Sequence, residues 1–161
     1  MDWGAISAIA QLVGIPVVVA SLVYVARQLS QNTQMMRVAA SSQWVDRDFE
    51  IVVPIIENRE FAEVWAKGAD EFDSLADVDK QRLLFFERRA LLLWHHMYHM
   101  YLQNILPRAN WNEQLWVIQN VGRRQAIRQA WGVYQSAFEP SFRNFIDEQF
   151  ASSDRAAKAE Q

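Results

Sequence analysis

The chain has 161 residues, with 16 Lys and Arg against 19 Asp and Glu, a net charge of −3, no Cys and an apolar fraction of 51%. That apolar content suffices for one real core and excludes general disorder, while five Gly and four Pro supply too few turns for an all-β fold. Without Cys there are no disulfides or Cys-ligated metal centres, and without a basic stripe nucleic acid is not an expected partner.

Residues 4–26 carry no charge, and Gln11 is their one strongly polar side chain. An apolar run of this length matches a hydrocarbon core of about 30 Å at 1.5 Å rise per residue. Trp3 and Tyr24 stand 21 positions apart, about 31 Å along a helix, which is the spacing of two interfacial aromatic belts. The sequence therefore predicts a transmembrane anchor over residues 1–28. A buried core helix seldom stays uncharged for so long. A cleaved signal peptide would need a basic start, and Met1-Asp2-Trp3 has none; a surface-lying helix would need a charged face. No Lys or Arg precedes the run, whereas Arg27 and Arg37 follow it. That bias predicts a single-pass protein of the inner (cytoplasmic) membrane, N-terminus outside and C-terminal domain in the cytoplasm.

Within the anchor, Gly4, Ser7, Gln11, Gly14, Val18, Ser21, Val25 and Gln28 recur at a 3.5-residue period. Small residues let helices approach closely in lipid, and a Gln amide at that depth asks for a partner. Gly4, Ser7, Gln11, Gly14 and Ser21 are thus the expected interaction seam. The opposing reading is that small residues are common in membrane spans and that Gln11 lies near one interface. Pro16 removes one backbone hydrogen bond inside the run.

Beyond the anchor, Leu29, Met36, Ala40, Trp44, Phe49, Val52 and Ile56 keep a helical rhythm with no Gly or Pro before Pro54, predicting one continuous helix with a stalk over residues 29–58. Asn58 is placed to cap a short helix over residues 59–67, ended by Gly68. An acidic loop over residues 69–77 leads to a long helix over residues 80–106, capped by Asp77 or Asp79 and stopped by Pro107. Further helices fit residues 112–121, 124–137 and 141–150, separated by Gly122 and Pro140, with a frayed tail over residues 151–161. The fold class is all-α: a transmembrane helix continuing into a long helix, then a helical-bundle soluble domain over residues 59–150.

The stretch Ser21-Leu22-Val23-Tyr24-Val25-Ala26-Arg27-Gln28-Leu29-Ser30-Gln31-Asn32-Thr33 resembles the start of a bacterial family of small, uncharacterised, single-span membrane-anchored proteins. Phe61-Ala62-Glu63-Val64-Trp65 before Gly68, the aromatic helix around Trp94 to Tyr101, and Pro140-Ser141-Phe142-Arg143 extend the resemblance over most of the chain. It implies a helical domain behind one span and no activity. Members usually carry carboxylates in the middle of the long helix, where this sequence has His95 and His96.

All three histidines form the pattern H-H-x-x-H at His95, His96 and His99. His95 and His99, four residues apart, share a helical face as a metal site would require. A metalloprotease helix needs Glu where His96 stands, and a di-iron bundle needs repeated E-x-x-H pairs, which are missing. Packed or surface imidazoles are the expectation, and no catalytic, cofactor or metal residue is assigned. Glu87-Arg88-Arg89 reads as a solvated face or a buried ion pair. Arg123, Arg124 and Arg128 could meet lipid head groups or an acidic partner. Trp65, Trp94, Trp111, Trp116 and Trp131 read mostly as core. The expected function is a non-enzymatic, membrane-anchored accessory or scaffold subunit, partnered by lipids, by other membrane subunits or by itself as a homo-oligomer. A metal- or haem-binding domain at His95 and His99, and a lipid or small-molecule sensor, are the alternatives.

Overall fold

A computed structural model describes residues 3–159, with side chains described for residues 16–36, 38–39 and 49–158. In chain order the helices are α1 (Trp3–Glu57), α2 (Arg59–Lys67), α3 (Asp77–Leu102), α4 (Arg108–Val121), α5 (Gln125–Tyr134) and α6 (Pro140–Ala159), with 3-10 turns at Phe72–Ser74 and Gln135–Ala137. The all-α expectation is borne out, and no strand occurs among the described residues. The chain divides into two compact units, residues 1–39 and 40–161.

The first unit consists of α1 residues. Its described large apolar side chains stand open, among them Val18, Leu22, Tyr24, Val25, Leu29 and Met36. Even so, no helix among the described residues is long and apolar enough to cross a membrane, which overturns the predicted single-pass, inner-membrane placement. Among the described side chains the apolar stretch at residues 16–26 gives way to Arg27, Gln28, Ser30, Gln31 and Asn32, a run too polar for a hydrocarbon core. Residues 4–15, and with them Gly4, Ser7, Gln11 and Gly14 of the expected seam, lie outside the described side chains.

The second unit is a bundle around α3, against which α2, α4 and α5 pack, with α6 packed on α4. Its largest apolar cluster joins Leu91 and Trp94 of α3, Ile118 of α4, Ile127 and Trp131 of α5, and Phe142, Ile146 and Phe150 of α6. The spacing of Phe142, Ile146 and Phe150 by four residues puts one edge of α6 inward. Trp131 also donates its indole N–H to Asp147 at 2.8 Å, so the ring buries its body and keeps its polar tip partnered.

Local chemistry sets the helix ends. The Asn58 side chain accepts from the Phe61 N–H at 2.9 Å and starts α2. α3 begins at Asp77, behind Ala76 and without a side-chain cap; Asp77 and Asp79 in its first turn answer the helix dipole instead. It ends at Leu102, short of Pro107, because Asn104 turns into the left-handed region with φ 56°. That reversal lets Ile105 and Leu106 both donate to the Met100 carbonyl, at 2.9 and 3.1 Å, and buries Leu106 with Leu93, Met97 and Trp111. The tail expected to fray is instead the last turns of α6, which runs to Ala159. Buried Ser153 holds it, donating to the Gln119 and Gln149 carbonyls at 2.9 and 3.0 Å, and Asp154 adds an ion pair to Arg128 at 2.7 Å.

Candidate functional site

His95 and His99 lie on one face of α3, and the reversal after Phe138 brings Glu139, the residue before Pro140 at the start of α6, onto that face. One Glu139 carboxylate oxygen lies 2.7 Å from His95 Nε2 and the other 2.9 Å from His99 Nε2. The two Nε2 atoms are 3.1 Å apart. Aromatic edges hold the imidazoles: the His95 ring packs against Phe138 and Phe142 with centroids 5.2 and 5.0 Å away, and the His99 ring against Tyr98 at 5.7 Å. Partial burial of Glu139 would by itself raise its pKa. Its own backbone N–H, the bond from His95 and the nearness of both imidazoles outweigh that and hold the carboxyl below its ordinary value.

The three groups form a compact polar island, each partly open to solvent, with side-chain exposures of 29% for His95, 41% for His99 and 35% for Glu139. One nitrogen of each histidine and a carboxylate oxygen all lie within 4.8 Å of one another. Helical spacing made the histidine pair readable. Glu139 was not, since it lies 44 and 40 residues away and reaches the pair only through the packing of α6.

The other expected residues sit elsewhere. Ser21 is exposed, and its hydroxyl donates to the Val17 carbonyl at 2.8 Å. His96 is exposed. Glu87 is buried in the bundle beside Arg124, so the second reading of Glu87-Arg88-Arg89 holds for its first member. Arg124 and Arg128 are absorbed by the fold. The Arg124 guanidinium lies 3.6 Å over the Trp65 ring and donates to the Trp65 carbonyl, and Arg128 donates to the carbonyls of Gly122 and Phe150. Trp94, Trp111 and Trp131 are buried, Trp65 is half-buried and Trp116 is exposed.

No family model, curated protein or solved structure matches the chain. The resemblance to the small bacterial family rests on its motifs alone.

Proposed function

We propose that the chain is a non-enzymatic association module that self-assembles through residues 18–36 of α1. The observation that carries this reading is the exposure of large apolar side chains along one helix: Leu22 at 64%, Tyr24 at 67%, Leu29 at 62% and Met36 at 59%. A helix with this much open apolar surface is one element of a larger packed structure.

Register argues for a second copy as the cover. Val18, Leu22, Val25, Leu29, Asn32 and Met36 follow one another by four, three, four, three and four residues, the heptad spacing of helices that pack knobs into holes. From Arg27 onward the outward positions are polar, with Arg27, Ser30, Gln31 and Gln34. Asn32 is the single polar residue in the seam. Aligned copies set its amide against its own twin, so that one donates to the other's carbonyl oxygen and register is fixed at a cost in stability. Val17, Val19 and Val23 leave apolar surface outside that seam, which favours more than two helices in the assembly.

Sedimentation of the full chain tests the reading. An oligomer that Val25→Glu with Leu29→Glu converts to a folded monomer supports it. A monomer at every concentration sinks it.

A further inference from the structure

We infer that His95, His99 and Glu139 bind one divalent transition-metal ion of the zinc class. The inference goes beyond self-assembly and does not depend on it.

The first argument is a count of protons. Three short edges join the groups: His95 Nε2 to one Glu139 oxygen, His99 Nε2 to the other, and His95 Nε2 to His99 Nε2, at 2.7, 2.9 and 3.1 Å. A hydrogen bond on each carboxylate edge requires a proton on each Nε2. Two N–H groups then face one another across the third edge and neither can accept. If instead one Nε2 offers its lone pair to the other, that nitrogen confronts a carboxylate oxygen with no proton between them. With the Glu139 carboxylate ionised, no arrangement of protons satisfies all three contacts. A cation at the centre does, because every corner then offers a lone pair to it.

The second argument is size. Around a tetrahedral ion with bonds of about 2.0–2.1 Å, ligand atoms stand roughly 3.3 Å from one another. The observed edges, 2.7 to 3.1 Å, lie below that by about 0.2 to 0.6 Å, a spread that small side-chain rotations supply. Two imidazoles on successive turns of a 26-residue helix, wedged by Phe138, Phe142 and Tyr98, form a nearly preformed pair of ligands. The third ligand comes from the residue just ahead of α6.

Donor chemistry sets the class of ion. Two neutral nitrogens and one carboxylate favour zinc and its borderline neighbours, whereas calcium and magnesium prefer all-oxygen shells. Partial exposure of all three side chains gives an ion a route in and leaves a fourth position for water.

The test uses the full chain, stripped with a chelator, titrated with Zn²⁺ by calorimetry and with Co²⁺ by visible absorption. The expected result is one ion per chain, with the intense visible bands of low-coordinate cobalt. His99→Ala and Glu139→Gln should each weaken Zn²⁺ binding by about tenfold or more, with far-ultraviolet circular dichroism unchanged. Glu139→Gln decides the matter should His99→Ala disturb the helix pair, because it keeps the side chain's size and one acceptor oxygen. Failure of the wild-type chain to retain either ion overturns the inference, as does retention with equal affinity in Glu139→Gln and in the His95→Ala, His99→Ala double variant.

Discussion

Glu87 on α3 and Arg124, the residue ahead of α5, face one another inside the bundle with 3.9 Å between Oε1 and Nε. Neither atom makes a hydrogen bond, and Glu87 is 1% exposed. Burial pushes the Glu87 carboxyl up to about 7, against a smaller opposing pull from Arg124. The same burial lowers the Arg124 pKa, offset in part by Glu87 and Asp70. Arg124 stays in place because Trp65 carries its guanidinium on ring and carbonyl.

This pair sets a pH dependence. In the unfolded chain Glu87 ionises near 4.5, and in the folded chain near 7. Between those values the native state holds a proton that the unfolded state has lost, so this group's contribution to stability falls as pH rises through the window and is level above it. Glu87→Gln removes the effect. Between pH 4 and pH 8 the wild type should lose on the order of 3 kcal/mol relative to the variant. Urea melts at several pH values check this, and parallel pH profiles for the two proteins would contradict it.

Arg124→Met acts in the opposite sense. It leaves an ionised Glu87 with no neighbouring cation at high pH and a neutral one at low pH. The variant should be destabilised by about 3 kcal/mol at pH 8 and by clearly less at pH 5. A cost independent of pH would show that Arg124 matters only for its packing on Trp65.

Gly122 and Gly132 should respond to alanine with opposite signs. A Cβ on Gly122 would stand 2.5 Å from the Ile118 carbonyl oxygen and 2.7 Å from a Phe150 ring carbon, whereas one on Gly132 meets nothing within 4 Å. Phe150 has little freedom to move, being buried and covered by the Arg128 guanidinium at 4.1 Å. Gly122→Ala should cost about 1–3 kcal/mol. Gly132, inside α5 and exposed, should gain roughly 0.5–1 kcal/mol from the same change. Thermal melts of the two variants separate the effects.

Phe142 is the best-buried ring of the core at 0% exposure, with the rings of His95, Tyr98, Trp131, Phe138 and Phe145 around it. Phe142→Ala should cost about 3–5 kcal/mol. It should also loosen His95, whose ring rests on this one, broadening the His95 signal in NMR spectra.

Residues that act through neighbours in sequence were legible. The Asn58 cap, the Gly68 stop and the Pro140 start are decided within one turn, and α2 falls on its predicted bounds. Pro107 is the louder signal for the end of α3, but the helix stops at Leu102 and the turn buries Leu106 against Trp111. Small and charged residues alone predict a frayed tail. Its order comes from Ser153 and Asp154 meeting Gln119 and Arg128, contacts that no local pattern announces. The same limit hid Glu139 from the histidine pair. Glu87 was ambiguous for a related reason: its face of α3 becomes interior only when α5 sets Arg124 against it.

Self-assembly through α1 is the central claim, and sedimentation equilibrium of the full chain against its Val25→Glu, Leu29→Glu variant tests it most directly. A wild-type mass at a fixed multiple of the chain mass, falling to one chain in a variant with unchanged helicity, is the predicted result. A wild-type chain that sediments as a monomer, or a variant that keeps the wild-type mass, would contradict it.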